Sequence, residues 1–199
     1  MHTLFSFPFS CALAVELELT RHALPYEVRH VTRGRATRVD GEAFAEVNPK
    51  RKVPVLVLPD GEQLTEIVGI LTHLDTVHGP DRTAAERRRV LEDVAFVATE
   101  LHQAVLGPLF DPSAPDATRA DVVERLLPPL VDILETRVAD GWIGATRGPA
   151  DAYLLWGLLL LRHGAKGTTD RPHLDAFVAR HLDAPDVQRV LARARRTLG

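Results

Sequence analysis

Cys11 is the one cysteine in a chain of 199 residues, and its neighbours put it where a thiol can react. Thr3-Leu4-Phe5-Ser6-Phe7 reads as a short apolar strand and Pro8-Phe9-Ser10 as a turn. Cys11 through Arg21 then carries Leu13, Ala14, Leu17 and Leu19 at helical spacing. A thiol at a helix N-terminus meets the positive end of the helix dipole, which favours the thiolate and lowers the pKa. The plainer alternative for a lone cysteine is a small buried hydrophobe. Ser10 suits a helix cap at the same turn.

A second group of residues builds a surface that such a thiol could share with a ligand. From Val47 to Glu66 the chain reads as loop, proline-started strand, tight turn at Asp60-Gly61, second strand and helix start. An X-Pro bond held cis at Val53-Pro54 turns the backbone N–H and C=O of Val53 outward, toward a ligand. Thr65 and Glu66 open a helix whose first N–H groups favour an anion. The combination suits the binding of a thiol-bearing peptide.

The elements that must position these groups fall into two halves. After the first strand and helix, Tyr26-Glu27-Val28-Arg29-His30-Val31 alternates as a strand. A short helix is expected over Gly41 to Glu46, followed by a Val53–Leu58 strand, its hairpin partner at Glu62–Leu64, and a helix from Glu66 to about Val77. The order is βαβαββα. His78-Gly79-Pro80-Asp81 breaks the pattern. Beyond it the chain is helical: Thr83 to about Leu106, Ala117 to about Ala139, Pro149 to about His163, and His173 to Leu198 with an interruption near Ala184-Pro185. Residues 1–78, a linker at 79–82 and residues 83–199 are therefore the expected domains.

Composition excludes several classes of function. The chain is 45% hydrophobic and 26% charged, enough for one large or two small soluble cores. A net charge of −3 disfavours nucleic acid as a partner, since phosphate binding needs a basic surface. Arg87-Arg88-Arg89 is flanked by Glu86, Glu92 and Asp93 and reads as a solvated, salt-bridged helix face. Leu154 to Leu161, the most apolar run, is far short of the roughly 20 residues that a bilayer span needs. The start of the chain has no basic leader, and one cysteine allows no internal disulfide, so a cytoplasmic location is expected. The preponderance of Arg over Lys hints at a GC-rich bacterial genome. His163, His173 and His181 are scattered without ligand spacing, and no metal site is expected.

The order and spacing of many short motifs resemble one family. Phe44-Ala45-Glu46-Val47-Asn48-Pro49-Lys50, Val53-Pro54-Val55-Leu56, Leu64-Thr65-Glu66, Ala98-Thr99-Glu100-Leu101-His102, Pro108-Leu109-Phe110, Trp142-Ile143 and Ala150-Asp151-Ala152-Tyr153-Leu154 resemble the bacterial beta-class glutathione S-transferases over nearly the whole length. The resemblance implies a thioredoxin-like glutathione-binding domain followed by a helical-bundle, substrate-binding domain, working as a homodimer. Cys11 matches the residue that touches the glutathione sulfur. Ser10 is its rival, because other classes activate the thiolate with a serine of this turn. Val53, followed by Pro54, matches the residue whose backbone pairs with the cysteinyl backbone of glutathione. Glu66 matches the acid that receives the γ-glutamyl ammonium, and the N–H of Ile67 matches the donor to the γ-glutamyl carboxylate. His102 matches a histidine that faces the sulfur across the cleft, where an imidazole takes the thiol proton or hydrogen-bonds the thiolate. The blander readings are first-turn stabilisation for Glu66 and simple packing for His102. Asp151 matches a structural acid at a helix start.

The departures from the family pattern concentrate at the ligand. Ile67 stands where many relatives have Ser or Gly, which removes a hydroxyl donor worth roughly 1.5–3 kcal/mol to a charged group. Gln103 replaces a common lysine, Ala95 replaces a polar residue, and the chain is shortened around Gly79-Pro80-Asp81-Arg82. Lys52 and Arg33 or Arg35 are the candidates to bind the glycyl carboxylate. Three functions follow. The first is a transferase that activates the glutathione thiol to conjugate, reduce or isomerise a hydrophobic electrophile. The second is a relative specialised for a biosynthetic or catabolic step with another thiol or none. The third is a binding module without catalysis.

Overall fold

The computed structural model of the chain describes residues 1–32, 38–164 and 171–196. Arg33 and Arg35 lie outside the described residues, as do the Leu198 end expected for the last helix and the side chain of His163.

The first half is built on a sheet whose centre is β1 (His2–Ser6). It pairs in parallel with β2 (Tyr26–Thr32) and antiparallel with β5 (Val55–Val57), so that Leu4 lies between Val28 and Leu56. The connection from β1 to β2 is α1 (Ala12–Arg21), the crossover that a parallel pair needs. Beyond β2 the sheet continues antiparallel through β3 (Arg38–Val39) and β4 (Glu42–Ala43), and beyond β5 through β6 (Gln63–Thr65). The strand order is β4-β3-β2-β1-β5-β6. Helix α2 (Ile67–His78) follows and packs on α1. Phe5, Val31, Val39, Phe44 and Val55 form a core cluster, with Val47, Val53 and Val57 packed against it.

One expected helix is replaced. Where a short helix was expected over Gly41 to Glu46, the chain makes the β3–β4 hairpin and then one 3-10 turn at Phe44–Glu46. Asp40 and Gly41 both adopt left-handed backbone, with φ of 50° and 87°. Two left-handed residues in a two-residue loop match the twist of the flanking strands, and an Asp-Gly pair meets that demand at low cost.

The second half is helical. α3 (Ala84–Phe96) starts with a capping box between Thr83 and Glu86 and carries the exposed Arg87, Arg88 and Arg89, with Arg89 paired to Glu92. The helix then widens to π geometry over Val97–Leu106 and closes with α4 (Gly107–Phe110). α5 (Asp116–Asp121), a π turn at Val122–Leu126 and α6 (Leu127–Arg137) follow. α7 (Pro149–Gly164) is the central helix, buried at every position from Pro149 to Leu158. It packs closely on the π segment: a Cβ added at Gly157 would come within 2.5 Å of Leu101 Cδ2. α8 (Pro172–Leu182) and α9 (Pro185–Arg196) complete the chain.

Contacts divide the chain into two compact units, Met1–Pro80 with Pro185–Gly199, and Asp81–Ala184. The expected helical domain at 83–199 therefore yields its last helix to the first unit. α9 packs on α1 with Val187, Val190, Leu191 and Ala194 buried, and a polar clamp accompanies the contact. Arg193 of α9 donates to the buried Glu16 of α1 (Nε to Oε1, 2.6 Å) and to the hydroxyl of Tyr26 in β2, and its guanidinium stacks over the Tyr26 ring at 4.8 Å. Burial pushes the Glu16 carboxyl above its ordinary pKa, and the Arg193 charge opposes that shift.

Candidate active site

In the first unit, Cys11, Val53 and Glu66 converge. Cys11 caps α1 in helical conformation and is buried, 8% exposed. Its Sγ donates to the carbonyl oxygen of Val53 at 3.7 Å. The Val53-Pro54 peptide is cis, as expected from its position at the head of a strand. Asn48, 2% exposed, holds the loop in front of it: its amide donates to Lys52 O at 2.7 Å and its oxygen accepts from Lys50 N at 3.1 Å. Neither bond can be predicted from the motif alone, and Asn48 is a positioning residue that the spacing only hints at.

The electrostatics of Cys11 reverse an expectation. The N–H groups of Cys11 and Ala12 do lower the thiol pKa, as the helix-terminus argument predicts. Burial acts in the opposite direction and is larger, and the Glu66 charge adds to it, so the thiol is pushed up to about 12 from its usual 9.0. Cys11 in this structure is a neutral thiol that donates a hydrogen bond. Ser10 changes role too. Its hydroxyl lies 3.4 Å from that of Ser6, both buried, and α1 has no side-chain cap.

The acidic end of the site is open. Glu66 precedes α2 with φ 67° and ψ 117°, a positive-φ conformation that is uncommon for a residue with a side chain. Its carboxylate is exposed and pairs with Lys50, which also donates to Thr65 Oγ1 at 3.2 Å. The basic residue that reaches this acid is thus Lys50, and Lys52, the candidate for a glycyl carboxylate, is exposed in the same loop. Ile67, half-buried, opens α2. Arg35, the other expected partner for a carboxylate, lies outside the described residues.

In the second unit the π segment presents His102, half-buried. Its Nδ1 is 2.5 Å from the hydroxyl oxygen of Tyr153 on α7, and its ring meets that of Trp156 edge-on at 4.6 Å. Tyr153 is fully buried. The Asp-Ala-Tyr spacing shows this tyrosine, but a partner 51 residues away leaves no signal in the chain. Two residues before it, Asp151 is buried at 1% exposure and accepts from the backbone N–H groups of Ile143 (2.9 Å) and Gly148 (2.6 Å). Its role is structural, as expected. Among the described residues no group of three or more His, Cys, Asp or Glu could hold a metal ion, and no helix is long and apolar enough to cross a membrane.

Comparison with known proteins settles the family. The family model described as glutathione S-transferase, N-terminal domain, matches residues 10–77. Over 197 residues, 95% of this chain and 96% of the relative, the chain is 32% identical to glutathione S-transferase GstA of Escherichia coli O157:H7. The chain belongs to the glutathione S-transferase family. Among solved structures, a glutathione transferase from Methylococcus capsulatus str. Bath superposes with a TM-score of 0.90 at 32% identity, covering 98% of this chain and 100% of that one. A sphingomonad glutathione S-transferase complexed with glutathione gives 0.88 at 29% identity, over 97% and 98% of the two chains. The bacterial beta-class transferase of Sphingomonas chungbukensis gives 0.88 at 27% identity, over 96% and 98%. The thioredoxin-like sheet and helical second half are the fold of this transferase family.

Proposed function

We propose that this protein is a glutathione transferase that holds glutathione at the Cys11–Val53–Glu66 cluster and transfers its sulfur to a hydrophobic electrophile. The observation that carries the reading is the convergence of three groups in one unit: the S–H of Cys11, which donates to Val53 O, the backbone of Val53 before a cis proline, and the exposed carboxylate of Glu66 at a helix start. Val53 pairs with the cysteinyl backbone, Glu66 takes the γ-glutamyl ammonium from Lys50, and the N–H of Ile67 meets the γ-glutamyl carboxylate. The neutral Cys11 donates to the bound sulfur, since two adjacent thiolates would repel. His102 is the second unit's candidate for the thiol chemistry, and helical side chains supply the apolar surface for the acceptor. The protein acts in the cytoplasm as a homodimer.

Two observations favour a second reading, in which the thiol is not glutathione. Lys50 already neutralises Glu66, and Ile67 offers no hydroxyl. Turnover separates the readings. With glutathione and an aryl halide, we expect conjugation, and Glu66→Ala raises KM for glutathione about tenfold with little change in kcat, as loss of one charge-assisted contact predicts. Turnover with a smaller thiol but none with glutathione selects the second reading.

A further inference from the structure

Tyr153 has no place in the thiol chemistry described above, yet it is fully buried with its hydroxyl against the one histidine that the chemistry uses. Its oxygen lies 2.5 Å from His102 Nδ1, and the ring of Trp156, stacked on Tyr153, meets the imidazole edge-on at 4.6 Å. Which partner donates follows from acid and base strength. A phenol O–H is a far stronger acid than the N–H of a neutral imidazole, and an imidazole nitrogen is a far stronger base than a phenol oxygen. In a short buried contact the proton therefore stays on Tyr153 and points at Nδ1. A neutral imidazole carries one proton, so with Nδ1 accepting, that proton sits on Nε2.

We propose that Tyr153 is a positioning residue that locks His102 in the Nε2–H tautomer, making His102 a hydrogen-bond donor at Nε2 and not a general base. Nε2 already holds its hydrogen, so it donates to an electron-rich ligand atom and has no lone pair with which to take a proton. The assignment deepens the transferase reading and rests on it for the identity of the ligand that Nε2–H meets. The tautomer itself does not depend on that reading. Gly157 supports the geometry, because a glycine there lets α7, which carries Tyr153 and Trp156, approach the π segment at Leu101.

Nitrogen-15 NMR of histidine-labelled protein near neutral pH reads the tautomer directly, with or without turnover. The expected spectrum shows His102 protonated at Nε2, and Tyr153→Phe shifts it toward a mixture of tautomers. In the transferase assay Tyr153→Phe lowers kcat about tenfold while KM for glutathione stays within about twofold, the pattern of a contact made in the transition state. A second pair of variants keeps the test alive if removal of the buried hydroxyl disturbs folding. The amide nitrogen of glutamine reaches the place of Nε2 and that of asparagine the place of Nδ1, so His102→Gln retains more activity than His102→Asn. Protonation of wild-type His102 at Nδ1, or equal losses in the Gln and Asn variants, overturns the proposal. Absence of turnover in the wild type, with the Nε2–H tautomer present, removes the transferase reading and leaves the tautomer assignment standing.

Discussion

Iodoacetamide is expected to alkylate Cys11 at about pH 8 roughly a thousandfold more slowly in the folded protein than in the urea-unfolded chain. The thiolate is the nucleophile, and a pKa pushed from 9.0 up to about 12 lowers the thiolate fraction by about three powers of ten. Burial adds to the suppression by restricting access. The same shift has a sign in stability. The folded state favours the protonated thiol, so the contribution of Cys11 is full below the unfolded value and is lost as pH rises from about 9 toward 12. Equal alkylation rates in the folded and unfolded protein would mean that burial does not raise the thiol pKa. The functional consequence is specific: Cys11 acts as an S–H donor, with Val53 O as its present acceptor at 3.7 Å. A cysteine of this kind forms a mixed disulfide slowly and tolerates an adjacent thiolate.

Replacement of Asp151 by alanine is expected to destabilise the protein by on the order of 3 to 5 kcal/mol. Hydrogen bonds to a charged acceptor contribute about 1.5–3 kcal/mol each, and a buried donor left without a partner carries the full desolvation penalty. Here two backbone donors depend on one carboxylate, those of Ile143 and Gly148, and the carboxylate is 1% exposed. Together they tie the 143–148 segment to the first turn of α7, the helix around which the second unit packs. Urea titration of the purified variant reads the change as a shift of the midpoint at constant slope. Asp151→Asn is expected to fall between wild type and alanine, because an amide keeps one acceptor and places its NH2 against the other donor. A loss under about 1 kcal/mol for the alanine variant would show that water replaces the carboxylate.

How far the chain could be read before its structure follows the range of the interactions involved. Local chemistry was legible: the turn before Cys11, the cis bond at Val53-Pro54, the hairpin turn at Asp60-Gly61, and the burial of α7 from Pro149 to Leu158. The β3–β4 hairpin was not, because strands of two residues leave no alternation to detect, even though Asp40-Gly41 carries the turn signal. Cys11 shows the same division within one atom. Its helix-terminus effect is local and was foreseen, whereas the larger opposing effect comes from burial by residues distant in sequence. Lys50 on Glu66, Tyr153 on His102 and Arg193 on Glu16 join residues 16, 51 and 177 apart, and no spacing rule reaches that far. The last helix, expected to belong with residues 83–199, likewise packs on α1 of the first unit, a contact between elements far apart in sequence.

The central claim is that the first unit grips glutathione through Val53, Glu66 and Ile67. Isothermal titration calorimetry of the wild-type protein with glutathione tests it without any assumption about the electrophile. The account predicts saturable binding with one glutathione per chain and a dissociation constant at or below about 1 mM, equivalent to about 4 kcal/mol of binding free energy. It also predicts about tenfold weaker binding in Glu66→Ala. No saturable heat up to about 10 mM glutathione, with the protein folded, would contradict it.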